Sequence, residues 1–469
     1  MYRKFIAAFF IFSMILGNAS TAIAQTTNDL PVYLVQPGDT LITIASRFGV
    51  SATDIINANQ IQNQDFISPG DGLRIPGLQG ITGTLTSLTV PLGESLDSLA
   101  RTYATSPGFI VKINRITSPY EVYAGASLII PVPDSKPEHI PVKTIEPGST
   151  LLEAAALLQE NPRQLQESNE LTTRNLLPGS VLYDVAAEGR AAINVLDPSL
   201  TRVSINPLPL MQGGTFEIIV TSSVPVTLEG TLAGNQLTFF SESENKFVAL
   251  QGIHAMAQPG VYDFTLKGQF GNGTGFSMSQ PVLLISGDYP KDAPLTVDPA
   301  TIDPAVTNPE DDFIKNLVSI LTPVRQWDGI FEIPGQYAEY TSRFGDRRSY
   351  NGSDYTYFHS GLDFAGGMGL PIKAPADGTV VLAGPLTVRG NATFIDHGWG
   401  IYSGFFHQSE IKVKVGDRVK KGDIIGLVGN TGRVNNAFDY PGAGAHLHWE
   451  VWVNGVQVNP MTWMNTVYP

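Results

Sequence analysis

His446-Leu447-His448-Trp449-Glu450-Val451 is a run in which polar and apolar side chains alternate. Successive side chains of an extended chain point to opposite faces, so the stretch reads as a strand with both imidazoles on one face and Leu447 and Trp449 on the other. On such a face one imidazole can bind a metal while its neighbour handles protons. By composition alone, either could also be an ordinary strand histidine. The surroundings sharpen the reading, because five of the seven histidines fall between His359 and His448.

Upstream, His407 ends the strand-like run Ile401-Tyr402-Ser403-Gly404-Phe405-Phe406, among Gly-punctuated hairpins such as Val415-Gly416-Asp417 and Lys421-Gly422-Asp423. Further upstream, His359-Ser360-Gly361-Leu362-Asp363 follows Arg343-Phe344-Gly345-Asp346-Arg347-Arg348. Full extension would hold His359 and Asp363 about 13 Å apart, too far to share an ion with bonds of about 2 Å, so a bend is required. Gly361 permits one. The chain has no cysteine, which excludes disulfides, thiolate ligands and a thiol nucleophile and leaves any metal to His and carboxylates. Two His and one carboxylate around zinc leave a position open for water, as metal-assisted hydrolysis needs, although the set also suits other transition metals.

Together these motifs resemble the M23 metallopeptidases of the lysostaphin and LytM type, over nearly the whole stretch from Trp327 to the C-terminus. Supporting matches are Pro371-Ile372-Lys373-Ala374-Pro375-Ala376-Asp377-Gly378, Ile395-Asp396-His397-Gly398, Lys421-Gly422-Asp423-Ile424-Ile425-Gly426 and Gly429-Asn430-Thr431-Gly432. The resemblance implies Zn2+ held by His359, Asp363 and His448, with proton transfer or transition-state stabilisation by His446 and His407. It implies a small antiparallel β fold with an open groove, cutting peptide cross-links or stem peptides of peptidoglycan. Two departures stand out. Phe405-Phe406-His407-Gln408 replaces a Tyr-Ala-His-Leu-like stretch, and the interval Arg433 to Ala445 is longer than the usual link, which reads as a groove wall. His397 has no metal role in the family and is expected to stabilise a turn. Tyr355 and Tyr357 are expected to be surface aromatics. The rival reading is a non-catalytic LytM-type activator of a cell-wall amidase, but such domains lose metal ligands and here none is lost.

Near the N-terminus the chain repeats itself with an offset of 55. Gly38, Gly93 and Gly148 sit in equivalent turns, and Asn59, Asn114 and Asn169 keep the same spacing. In the first unit a strand at Val32 to Val35 meets the Gly turn. Asp39 or Thr40 can then cap a helix with Leu41, Ile44, Ala45 and Phe48 on its apolar face. A second helix, Ala52 to Asn59, and a closing strand, Gly72 to Ile75, complete a βααβ unit. The stretch Val35-Gln36-Pro37-Gly38-Asp39-Thr40-Leu41, with Ser68-Pro69-Gly70, resembles LysM. That resemblance implies binding of N-acetylglucosamine-containing glycans beside Gly38, Asp39, Thr40 and Leu41. The later units diverge, Asp39-Thr40 becoming Glu94-Ser95 and Ser149-Thr150.

Between repeats and C-terminal domain, period-two runs such as Thr215-Phe216-Glu217-Ile218-Ile219-Val220 suggest a β-sandwich acting as a spacer. The Pro- and Asp-rich stretch after it has the composition of an extended, solvated linker, with an amphipathic helix expected over Phe313 to Leu321. Met1 to Gln25, with Arg3 and Lys4 before an apolar run and Ala22-Ile23-Ala24, reads as an export signal. A net charge of -14 disfavours nucleic acid and anionic lipid as partners.

The expected fold class is therefore multidomain: small βααβ LysM-like repeats, an all-β sandwich-like module and a C-terminal antiparallel β peptidase domain. The expected order is a signal at 1–25, repeats at 31–77, 85–132 and a divergent 140–186, the β module at 190–287, the linker at 288–312 and the peptidase domain at 313–469. A secreted, wall-associated protein whose partner is peptidoglycan follows from the resemblances, with no membrane contact after signal removal.

Overall fold

The computed structural model describes residues 30–62, 67–78, 81–103, 105–118, 121–132, 139–144, 150–158, 162, 165–166, 169, 171, 181–185, 199–335, 340–434 and 444–469. The expected export signal lies outside these residues. Among the described residues no helix is long and apolar enough to cross a membrane. The chain divides into two compact units, 1–86 and 87–469.

In the first unit the strand Val32–Leu34 pairs antiparallel with Gly72–Arg74 and parallel with Thr84 and Leu85. Helices Leu41–Phe48 and Ala52–Asn59 pack Ile44, Phe48 and Ile55 with Tyr33, Leu73 and Ile75 into a buried core. Gly38 turns the chain into the first helix at a φ of 86°, a conformation costly for any side chain bearing a Cβ. Thr40 then caps the helix reciprocally with Thr43.

The internal repetition has a structural explanation. Ser95 and Ser98, and Thr150 and Glu153, exchange the same pair of side-chain-to-amide hydrogen bonds as Thr40 and Thr43. Asn59 donates to the Ile55 and Arg74 carbonyls and accepts from the Arg74 amide. Asn114 does the same with Ile110 and Ile129, and Asn169 donates to Leu165. The repeated asparagine thus ties the end of the second helix to the closing strand in the first two units.

In the second unit, residues 199–286 form two packed sheets. One holds Leu200–Asn206, Thr215–Ser222, Lys246–Gly252 and Phe240–Ser243, and the other is built on the long hairpin Gly260–Phe270 and Gly275–Ile285. Phe216, Ile218 and Val220 from one meet Phe264 and Leu266 from the other in a shared core. The expectation of a mere spacer needs correction. Ile219, Val248 and Leu250 share a hydrophobic cluster with Trp327, Trp399 and Trp463 of the C-terminal domain, Phe240 stacks on Trp399 at 5.3 Å, and Trp463 donates to the Thr215 hydroxyl. Both faces of one sheet are apolar, so it needs cover on both sides.

The stretch 288–312 is also corrected. It is not an extended solvated linker: Lys291 and Leu295 bridge to Arg347 and Tyr350, Asp292 pairs with Arg348, and a helix starts at Pro304. This helix, Pro304–Val318, begins nine residues earlier than expected and ends sooner. Its start is written locally as Asp303, whose carboxylate accepts the Ala305 amide, followed by Pro at the first helical position. Ile314 and Val318 bury against Ala392, Phe394, Tyr402, Phe406 and Trp452.

The C-terminal sheet runs in the order Tyr340–Ser342, Leu362–Ala365, His446–Val453, Ile401–Gln408, Gly390–Gly398, Gly378–Leu386 and Arg418–Val419, antiparallel throughout. Leu447, Trp449 and Val451 point into the core, which leaves the opposite face of that central strand to His446, His448 and Glu450.

Candidate active site

Three adjacent strands assemble the site. Asp363 lies directly opposite His448 across the pairing of Leu362–Ala365 with His446–Val453, and Phe406 lies opposite His448 on the other side. Residues directly opposite on one face are close enough for side chains to meet. His359 precedes the first of these strands and folds its ring back. Its Nε2 lies 3.0 Å from Asp363 Oδ1 and 3.0 Å from His448 Nδ1, while His448 Nδ1 is 2.8 Å from the same Asp363 oxygen. Gly361 is needed here for a reason other than the bend: a Cβ would sit 2.2 Å from the Trp449 carbonyl oxygen and 2.9 Å from His448 Nε2.

The donor atoms of His359, Asp363 and His448 lie within 4.8 Å of one another, and all three residues are buried. Each is oriented from behind. His359 Nδ1 donates to the Arg343 carbonyl at 2.9 Å, freeing Nε2, and His448 Nε2 faces Glu450 Oε1 at 3.4 Å, freeing Nδ1. Such backing of imidazoles by carbonyls and carboxylates is the usual support of metal-ligating histidines. Tetrahedral zinc with bonds of about 2.0–2.1 Å sets its ligand atoms about 3.3 Å apart, so the observed 2.8–3.0 Å fits with a small outward shift.

Electrostatics follow from burial and neighbours. Burial pushes the Asp363 carboxyl up, but the charges of His359 and His446 and two imidazole hydrogen bonds hold it well below the usual range. Burial lowers His448, yet its hydrogen bonds to Asp363 and Glu450 push it up to about 9. Burial lowers His359 despite Asp363 beside it.

His446 and His407 stand next to this cluster, their ring centroids 4.8 Å apart. His446 Nδ1 donates to the Gly444 carbonyl at 2.6 Å and His407 Nδ1 to the Thr431 carbonyl at 2.7 Å. A carbonyl can only accept, so in both rings Nε2 is left as the basic nitrogen. His446 Nε2 lies 3.7 Å from Asp363 Oδ1. Burial, reinforced by His446 and His448, holds His407 well below its ordinary pKa and keeps it neutral. His407 has a φ of +59° and sits where the pairing between Gly390–Gly398 and Ile401–Gln408 slips register. Such an irregularity re-aims a side chain that strict alternation would send elsewhere.

All five predicted residues line one groove of about 560 Å³, together with Asp292, Arg348, Arg389 and Arg433. Glu450 was not singled out from the sequence, although alternation places it on the face of His446 and His448. Arg348, whose Nη2 lies 3.7 Å from Asp363 Oδ2, carries no sequence signal beyond its place in the Arg347-Arg348 pair. Of the expected groove wall, residues 435–443 lie outside the described residues, while Val434, Gly444 and Ala445 line the groove.

Residues 357–460 match Peptidase family M23, and residues 33–76 and 88–131 match the LysM domain. Over that stretch the C-terminal domain is similar to peptidase family M23. The M23 stretch is 39% identical over 121 residues to peptidoglycan DD-endopeptidase ShyA of Vibrio cholerae, covering 26% of this chain and 26% of that protein. It is 36% identical over 141 residues to DD-carboxypeptidase/endopeptidase Mpg of Neisseria meningitidis, covering 30% of each. The chain thus spans less than a third of the length of these relatives. Among solved structures, the catalytic domain of the antimicrobial peptidase lysostaphin from Staphylococcus simulans is 28% identical, with a TM-score of 0.21, covering 30% of this chain and 92% of that one.

Other predicted residues lie elsewhere. His397 is fully buried, donating from Nδ1 to the Asp377 carbonyl at 2.7 Å and accepting at Nε2 from Ser403 at 3.0 Å. Tyr355 donates to the Asp292 carbonyl, and Tyr357 is exposed against Tyr350. In the first LysM domain, Asp39 accepts from the Tyr33 hydroxyl and the Gln36 amide and pairs with Arg47 at 3.1 Å, while Leu41 is buried. These contacts give Asp39, Thr40 and Leu41 internal structural duties.

Proposed function

We propose that this protein is a zinc-dependent hydrolase acting outside the cytoplasm on peptide bonds of bacterial peptidoglycan, tethered there by LysM binding to N-acetylglucosamine-containing glycan. The observation that carries the reading is the convergence of His359, Asp363 and His448 in a groove, beside two imidazoles whose Nδ1 atoms are tied to backbone carbonyls. His359 through Nε2, Asp363 through Oδ1 and His448 through Nδ1 would hold the ion. When bound, zinc supplies Lewis-acid polarisation of the scissile carbonyl and acidifies a water.

The remaining work falls to the chain's own residues. His446 and His407, each donating from Nδ1 to a backbone carbonyl, turn Nε2 toward the groove; His446 takes a proton from the attacking water and returns it to the departing amine. His407, kept neutral by burial, accepts a hydrogen bond or a proton on the same side. Glu450 and Arg343 hold the ligand rings in the required tautomers. Backbone sites beside Gly38 in the first LysM domain are the proposed glycan contacts, because the side chains of Asp39, Thr40 and Leu41 are engaged internally. Holding the peptidase on its polymer raises the effective substrate concentration.

Digestion of purified peptidoglycan by the protein, with and without chelator, followed by mass analysis of the released fragments, tests the reading. New free amino and carboxyl ends that vanish with chelator and return with zinc are expected. Intact peptidoglycan after incubation with the zinc-loaded protein would instead support the amidase-activator alternative.

A further inference from the structure

Glu310 sits on the Pro304–Val318 helix, outside the stretch that matches the M23 family, and only 8% of its surface is exposed. Its Oε2 accepts the Val388 amide at 2.8 Å. Its Oε1 accepts the Arg389 amide at 3.2 Å and Arg389 Nη1 at 2.9 Å, while Asp311 takes Arg389 Nη2 at 3.0 Å. A carboxylate is costly to bury, and a buried ion pair rarely adds net stability over apolar packing. Such a pair is better explained by what it fixes in place.

What it fixes is the proton-handling side of the site. The carbonyl of Arg389 accepts the backbone N–H of His407 at 3.0 Å, at the residue held at positive φ. The Arg389 guanidinium lies 5.5 Å over the Phe406 ring, and that ring stacks on His448 with centroids 5.2 Å apart and planes 11° apart. The charge of Arg389 also acts on Glu450, the acceptor behind His448. One buried carboxylate from a preceding helix therefore secures the turn that aims His407 and the ring that packs His448.

We propose that Glu310 is a positioning residue for the hydrolytic site, acting through Arg389 on His407 and His448. The proposal rests on the hydrolase reading above, and its test separates the two. The full chain is prepared as wild type, Glu310→Ala, Glu310→Gln and, as a control on the same helix, Lys315→Ala, whose side chain is largely exposed. Cleavage of a soluble cross-linked muropeptide is measured with zinc, and imidazole nitrogen resonances are recorded on metal-free, 15N-histidine-labelled protein. Glu310→Ala is expected to lower kcat about 10- to 100-fold with KM within about twofold, the size of loss a small misplacement of catalytic groups produces. Glu310→Gln, which keeps an acceptor for the Val388 amide, should lose less, and Lys315→Ala nothing. The His407 nitrogen resonances should move in both Glu310 variants. If Glu310→Ala does not fold, Glu310→Gln carries the test through the same two readouts. Folded variants with wild-type kcat and unmoved His407 resonances would overturn the proposal, as would a kcat loss accompanied by no change at His407. A wild type that cleaves nothing would sink the hydrolase reading, while the His407 resonances would still decide the role of Glu310.

Discussion

Asp363 lies within 3.7 Å of three imidazoles and of one guanidinium, so its removal strips compensation from all of them at once. Asp363→Ala is expected to abolish hydrolysis and the bound zinc measured by elemental analysis, while glycan pull-down persists. Zinc retained at full stoichiometry would contradict the ligand set. His397 carries a different consequence. Burial lowers its pKa to about 4, against about 6.5 in an unfolded chain. The unfolded state thus takes up the proton first: the stability tied to neutral His397 is whole above pH 6.5 and is lost as pH falls toward 4. Its slope is about 1.4 kcal/mol per pH unit, on the order of 3 kcal/mol in all. Urea unfolding between pH 7 and 4 should show a shallower loss in His397→Gln than in wild type; equal slopes would refute this account. Gly361 shows how residue identity can be legible while its reason is not. A bend was readable from the spacing of His359 and Asp363, but the contact with the Trp449 carbonyl depends on a strand 88 residues away in sequence.

At the scale of elements, the repeats were readable because their decisive contacts are local. The capping pairs span three residues, and the asparagine reaches a carbonyl four residues back. The link to the closing strand was not readable, since it joins positions fifteen residues apart. Asn114→Ala should leave the Ile129 amide and two carbonyls without these partners, costing about 1–3 kcal/mol of local stability. Hydrogen exchange at Ile129 is expected to accelerate, and unchanged protection would argue that solvent replaces the asparagine. The strand carrying His407 shows the opposite case: its apolar run was evident, but the register slip that aims the imidazole into the groove depends on how the neighbouring strand pairs. The Pro304–Val318 helix was hidden by composition, because Asp and Pro favour loops and helix starts alike.

In residues 87–469 the β module and the M23 domain share one apolar cluster, which makes them a mechanical unit. Phe240→Ala, at the stack on Trp399, should lower the unfolding free energy of both together by about 1–3 kcal/mol, given partial burial, and move their unfolding midpoints down in step. Calorimetry and tryptophan fluorescence should report the same shift; a change confined to the module would show the two to be independent. The same packing brings residues 291–311 to the rim of the groove, so Asp292 and Asp311 line it from outside the matched family stretch.

The sequence by itself determined the chemistry available: no thiols, five histidines gathered in one third of the chain, strand alternation that sorts His446 and His448 from Leu447 and Trp449, and three capped repeats. These rest on period, spacing and side-chain type, which act over a few residues. Tertiary structure alone decided which oxygen and nitrogens converge, that a register slip turns His407 inward, and that Glu310 reaches the groove-lining Val388 and Arg389 from a helix whose composition suggested a tether. Those outcomes depend on cross-strand register and on which apolar faces cover each other, and both are settled only when distant segments compete for the same core.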